Sequence, residues 1–191
     1  VGEATKCISF IQNKIKRYSF IVKWGETTNT DDLEGIVLEK SNVRPTKTQV
    51  LDILNSFKGK VLQEPPAFSA IKIDGKRSYK LARNNIIVKH RPREVEIHKL
   101  SLKKIVNSDF AEFEVLCGKG TYIRSLAKDI AEKLNTKAHV IALRRHSVGN
   151  FSEKDTIFID FFKEIIHSPS VLDKMLPIEA VLDDIPALAL N

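Results

Sequence analysis

Cysteine is scarce in this chain. Among its 191 residues there are two, Cys7 and Cys117, too few for a disulfide framework and without metal-ligand spacing. Each reads as a small buried apolar residue. The five histidines, His90, His98, His139, His146 and His167, show no paired metal spacing either. No apolar run approaches the roughly 18 residues of a membrane span, and the start carries no signal-peptide pattern. The expected compartment is the cytoplasm. GKG at 118–120 is not a Walker A loop, since Phe113 stands where the first glycine belongs and Gly120 replaces Ser/Thr. TTNTDDLEG lacks the alternating ligand positions and terminal glutamate of an EF-hand. A nucleophilic-serine elbow is missing too. These absences argue against a metal enzyme or a nucleotide hydrolase. There is no internal repeat.

What is present reads as a soluble globular chain, with 42% hydrophobic and 29% charged residues. The net charge of +7 is unevenly spread. Lys72 to Lys104 holds eleven basic and three acidic residues, whereas Asn150 to Asn191 holds three basic and eight acidic. A basic middle suits a polyanion, most simply nucleic acid; a solvated lysine face is the equal alternative on charge alone. The chain opens on Val1 and runs almost at once into a helical pattern. It ends in LPIEAVLDDIPALALN, a run that resembles a connector. Both features lead us to expect a fragment.

Periodicity predicts the elements between. Gly2 to Ile15 is expected to be helical, with Ala4, Ile8, Ile11 and Ile15 on one face. RYSFIVKWG, Arg17 to Gly25, alternates as a strand, and Thr27 to Gly35 is a polar loop. Thr46 to Phe57 is a helix that Thr46 can cap. Gly59 to Gln63 and Ala67 to Ile73 are expected strands around Pro65-Pro66, which forbids helix there. Ser78 to Arg83 is a short helix. Glu94 to Val106 and Phe110 to Leu116 form an antiparallel pair across Asn107-Ser108-Asp109. Ala138 to Val148 is a strand and Thr156 to Ile166 a helix. Locally paired strands with scattered helices give an α+β fold with a mostly antiparallel sheet.

The stretch CGKGTYIRSLAKDIAEKL poses a problem. Ile123, Leu126, Ala127, Ile130, Ala131 and Leu134 form one apolar helical face, with Thr121 at the expected N-cap. Arg124 then falls in the first turn, where the macrodipole makes a cation cost roughly 0.3–1 kcal/mol. Upstream, QEPPAFSAIKIDGKRSYKLAR sets Phe68 and Tyr79 among Lys72, Lys76, Arg77, Lys80 and Arg83. Such a mixture can stack bases and hold a phosphate backbone; read plainly, Phe68 is core and Tyr79 a helix contact.

Four segments together resemble the bacterial tRNA pseudouridine-55 synthases, the TruB-type family. They are GEATK with KRY at 16–18, GETTNTDDLEG, QEPPAFSAIKIDGKRSYKLAR, and GKGTYIRSLAKDIAEKL followed by AHVIALRR. The resemblance covers roughly residues 2–150 in the family's order. Asn29 departs from it, standing where the family usually has aspartate. The resemblance implies a pseudouridine synthase core, a mixed, mostly antiparallel sheet flanked by helices. It implies isomerisation of uridine 55 in the TΨC loop of tRNA, by cleavage of the N-glycosidic bond and rejoining through C5, with no metal or organic cofactor. The target base must be flipped out before its sugar can be reached.

By the same resemblance, Tyr18 is the active-site tyrosine against the flipped base and a candidate for proton abstraction. Arg124 pairs with the catalytic aspartate, and Tyr122 and Leu143 line the nucleotide pocket. Lys6 is a basic residue near the site. Lys72, Tyr79, Arg83 and Arg144 are candidates for RNA contact or for support of the sheet, and Asp32 receives no role. The family's nucleophilic aspartate sits in a G-x-x-D-P-x-A-x-G motif before GEATK, which these residues do not include. Arg124 is therefore expected to grip an acid from that preceding polypeptide, and the 191-residue piece alone is expected to lack turnover. Residues 1–150 read as the C-terminal part of the catalytic domain. Residues 151–191 read as a helical extension toward an RNA-binding, PUA-like domain. The expected partner is the TΨC arm of tRNA, with no membrane and no obligate protein partner. Two alternatives stand: a non-catalytic RNA-binding or RNA-remodelling module, and a basic protein-interaction domain.

Overall fold

Alternation in RYSFIVKW builds the middle of the sheet. Phe20, Val22 and Trp24 turn to one side and are buried, while Ser19, Ile21 and Lys23 turn to the other. This strand, β1 (Lys16–Trp24), follows a 3-10 turn at Gly2–Cys7 and the short helix α1 (Ile8–Asn13). The computed structural model describes residues 2–181. Most of the terminal acidic run, residues 182–191, lies outside the described residues.

A two-stranded ribbon, β2 (Glu26–Thr28) and β3 (Val37–Lys40), brackets the acidic loop. The chain continues through α2 (Lys47–Leu54), β4 (Gly59–Gln63), the hairpin β5 (Lys72–Ile73) and β6 (Lys76–Arg77), and α3 (Ser78–Arg83). Then come β7 (Arg93–Ile105), β8 (Phe110–Cys117), α4 (Ile123–Lys133), β9 (Ala138–Val148), β10 (Phe151–Ser152) and α5 (Ile159–Ile165). The main sheet has the order β10-β9-β1-β8-β7-β4, and every neighbouring pair is antiparallel. One parallel bridge, Asp32 to Val140, ties the acidic loop to β9 and makes the architecture mixed. This is the expected α+β fold.

The core forms on one face of that sheet. Phe20 and Phe113 stack at 5.3 Å, and Trp24 meets Phe113 edge-on at 6.2 Å. Val50 and Leu54 of α2 join the same cluster, as do Ile123, Leu126, Ala127, Ile130 and Ala131 of α4, so the apolar face expected for α4 is the buried one. Thr46 caps α2 through a capping box with Gln49: the Thr46 N–H donates to Gln49 Oε1 at 2.9 Å, and the Gln49 N–H to Thr46 Oγ1 at 3.3 Å. At the β7–β8 turn, Asn107 Oδ1 accepts from the N–H groups of Asp109 and Phe110 at 2.9 and 3.1 Å.

Four expectations need correction. The opening helix is short and begins as a 3-10 turn, and Ile8 and Ile15 of its supposed buried face are exposed. Periodicity reported an apolar stripe but not whether an element covers it. Ala67 to Ile73 is not a strand; only Lys72–Ile73 pairs, folding back across Asp74 and Gly75. Both turn residues have positive φ, 47° and 79°, as a tight hairpin turn requires. The polar loop is narrower than expected, because Glu26–Thr28 is strand. The last helix starts at Ile159, since Thr156 Oγ1 donates to Glu153 O at 2.7 Å and closes a 3-10 turn instead.

Candidate active site

The site begins in the loop after β2. Asp31 adopts a positive φ of 59°, which turns the chain so that Asp32 can point inward. Thr28 Oγ1 donates to the Asp32 carbonyl at 2.7 Å, and Thr30 Oγ1 to Asp32 Oδ1 at 2.6 Å. The Glu34 N–H also reaches Oδ1, at 3.2 Å. Asn29 closes the loop, its Oδ1 accepting from the Ile36 N–H at 3.0 Å, which gives the departure at this position a structural part. With Oδ1 engaged locally, Oδ2 is left for a long-range partner.

That partner is Arg124. Its Nη1 donates to Asp32 Oδ2 at 3.0 Å and to Thr30 O at 2.7 Å, while Nη2 donates to Phe68 O at 2.8 Å. The guanidinium therefore joins three parts of the chain: the acidic loop, the segment after β4, and α4 itself. Side-chain exposures of 22% for Arg124 and 30% for Asp32 make this a partly desolvated, charge-assisted pair. Such pairing offsets the macrodipole cost of a cation in the first helical turn. The acid gripped among the described residues is Asp32, to which sequence reasoning gave no role. Three of the five N–H groups are used; Nε and the second Nη2 hydrogen have no partner among the described residues and stay available to a further acceptor.

The helix start departs from expectation as well. Tyr122, not Thr121, occupies the N-cap and makes no side-chain capping bond, whereas Thr121 Oγ1 donates to Gly118 O at 3.1 Å. The Tyr122 N–H instead donates to Gln63 Oε1 at 2.7 Å, and Ser125 Oγ donates to Glu64 O at 2.7 Å. The first turn of α4 is thus stitched to residues 63–68.

On the sheet, Tyr18 stands opposite Arg145, Ser19 opposite Arg144, and Phe20 opposite Leu143. Strand alternation places Tyr18, Leu143 and Arg145 on the core face, and Arg144 on the other. Leu143 is 49% exposed, an aliphatic wall at the edge of that face. Burial raises the Tyr18 phenol above its ordinary pKa, and Arg145 pulls it the opposite way. Arg144 is not on the Tyr18 side; its Nε donates to Glu153 Oε2 at 2.9 Å. Glu153 also binds His146 Nδ1 at 2.8 Å, and His146 Nε2 meets Ser19 Oγ at 2.8 Å, fastening the segment after β10 to the back of the sheet. Counting two residues along β9 from Leu143 would have selected Arg145.

The remaining candidates sit on other elements. Lys72 and Arg83 are exposed on β5 and α3, and Arg83 covers the Tyr79 ring at 5.5 Å. Their segment is pinned by a buried knot in which His90 Nε2 contacts Ser78 Oγ at 2.9 Å and Ser69 Oγ at 3.4 Å. The same segment reaches the site through Phe68 O. Lys6 sits in the opening 3-10 turn.

Acidic residues crowd the flank of α4. Burial, then Glu132, raises the Asp129 carboxyl from 3.8 to about 6. Between those values the folded state keeps a proton that the unfolded state has lost, so stability falls as pH rises, and the penalty is constant above about 6. Asp129→Asn should raise stability at neutral pH by on the order of 1–3 kcal/mol and flatten the slope below pH 6 in thermal melts. An unchanged melt at neutral pH would rule out this buried charge as a cost.

The family description "TruB family pseudouridylate synthase (N terminal domain)" matches residues 1–123, and "tRNA pseudouridylate synthase B C-terminal domain" matches 124–183. The chain belongs to the TruB family of pseudouridylate synthases. A TruB relative from Bradyrhizobium diazoefficiens, tRNA pseudouridine synthase B, is 47% identical over 196 residues, covering 100% of this chain and 57% of its own length. The same-named protein of Caulobacter sp. strain K31 is 41% identical over 191 residues, covering 100% of this chain and 62% of its own length. The chain thus spans little more than half the length of these TruB relatives. Among solved structures, a Cbf5-Nop10-Gar1 complex matches with a TM-score of 0.65 at 21% identity, covering 94% of this chain and 46% of that one. That likeness concerns the fold. No helix among the described residues is long and apolar enough to cross a membrane.

Proposed function

We propose that the protein from which this chain derives isomerises uridine 55 in the TΨC loop of tRNA to pseudouridine. The observation that carries the reading is Arg124, held by three acceptors with two N–H directions still unfilled. A guanidinium fixed in this way can bind and keep ionised a second carboxylate, the nucleophile of the family motif, at low reorganisation cost. Flipping brings the uridine between Tyr18 and the Leu143 wall, with Tyr122 lining the pocket. The C1′–N1 bond breaks, C1′ rejoins the base at C5, and the C5 proton is lost as N1 gains one, so no oxidant or cofactor is consumed. Burial raises the Tyr18 phenol above its ordinary value and Arg145 pulls it back, so Arg145 is the group on its face that eases passage of a proton through the phenol oxygen.

Lys72, Tyr79 and Arg83 suit the tRNA backbone and bases, on a segment tied to the site through Phe68 O. The segment after β10 is the link to a further RNA-binding domain, and the site of action is the cytoplasm, with the tRNA. By this reading the 191 residues alone bind RNA without turnover.

The test is to incubate the full-length protein with an unmodified tRNA transcript and map pseudouridine. Conversion is expected at position 55 and not in a transcript carrying cytidine there. A folded protein that binds the transcript and leaves uridine 55 unchanged would instead support a non-catalytic RNA-binding role.

A further inference from the structure

Gln63 is the last residue of β4 and is 1% exposed, a long amide sealed from solvent. Its Oε1 accepts the Tyr122 N–H at 2.7 Å. Its Nε2 is buried with no partner among the described residues. A buried donor left unpaired is a standing cost to folding, and an apolar side chain of the same size would avoid it. The cost is tolerated for the sake of the oxygen.

What the oxygen does follows from the helix it meets. The N-cap N–H is one of the orphan donors at a helix start, normally taken by a Glu or Gln three residues into the helix. In α4 that position is Ser125, whose hydroxyl points away to Glu64 O. Gln63 supplies the missing acceptor from another part of the fold. It thereby sets the entry angle of the turn that carries both Tyr122 and Arg124.

We propose that Gln63 is a positioning residue for pseudouridine formation, holding the first turn of α4 so that the Tyr122 ring and the Arg124 guanidinium keep their places in the pocket. The inference rests on the TruB activity proposed above. Gln63 touches neither substrate nor reacting atoms, so its loss falls on the rate of the committed step and not on tRNA binding.

The experiment uses full-length protein, single-turnover rates at saturating unmodified tRNA, tRNA affinity, and hydrogen exchange at the Tyr122 amide. Gln63→Met removes the acceptor at nearly constant volume, and Gln63→Leu is a second apolar replacement should the first not fold. Each is expected to lower the rate roughly 10- to 100-fold with affinity within about twofold, and to speed exchange at Tyr122. Gln63→Glu, which keeps an oxygen at the accepting position, is expected to stay within about fivefold of wild type. The proposal is overturned if the apolar variants react at the wild-type rate, if all three fall equally, or if weaker tRNA binding accounts for the loss. A wild-type protein that forms no pseudouridine defeats the activity reading instead. Exchange at Tyr122 in the apolar variants then still decides whether Gln63 holds the turn.

Discussion

Arg124→Ala in the full-length protein is expected to lower single-turnover pseudouridine formation by about 10²- to 10⁴-fold while tRNA affinity changes by less than about threefold. The asymmetry follows from the geometry. The guanidinium spends its contacts on Asp32, Thr30 and Phe68 and is largely turned away from solvent, so its removal takes little from the RNA-facing surface. What disappears is the fixed positive charge in the pocket. Arg124→Lys should recover little of the rate, because one ammonium cannot reach the acceptors that Nη1 and Nη2 meet in different segments. A near-normal rate in the alanine variant would end the assignment of this site.

The second large effect is expected at Asp32. Asp32→Asn preserves shape and leaves Thr30 O and Phe68 O to hold the arginine, but removes the negative charge beside it. The rate should fall about 10- to 100-fold, again with little change in tRNA affinity. Asp32→Ala additionally strips Oδ1 from Thr30 Oγ1 and the Glu34 N–H, and should cost on the order of 1–2 kcal/mol of stability. The losses from Asp32→Asn and Arg124→Ala should be strongly non-additive when combined, as in-contact residues of one network are. Additive losses, or an Asp32→Asn enzyme working at full rate, would show that the pair is structural only.

The two predictions rest on residues that were unequally legible. Arg124 stood out because a cation in the first turn of an amphipathic helix runs against the local electrostatics, so some tertiary partner had to exist. The partner could not be named, since Asp32 lies in a polar loop with no period to place it. Its neighbours Thr28 and Thr30 were the available hint, two hydroxyls spaced to hold the aspartate by its carbonyl and its carboxylate. Arg145 was missed for a simpler reason. Arg144 and Arg145 look alike in the motif, and the alternation from Leu143 that separates them was not followed; the register of β9 against β1 puts Arg145 on the face of Tyr18. Gln63 gave no signal at all, because an amide at a strand end reads as exposed until another element covers it.

The amino-acid order alone determined the elements whose signals are short-ranged: the alternating β1 and β8, the Thr46 capping box, the turn at Asn107, and the apolar stripe of α4. Each depends on neighbours within a few residues, where propensity and period act directly. Tertiary structure alone decided the contents of the site. It brought Asp32 to Arg124, Gln63 to the Tyr122 N–H and Phe68 O to the guanidinium, and it left Ile8 and Ile15 exposed. Those pairings close loops of tens of residues, and which donor finds which acceptor depends on how the sheet and α4 pack rather than on any local pattern.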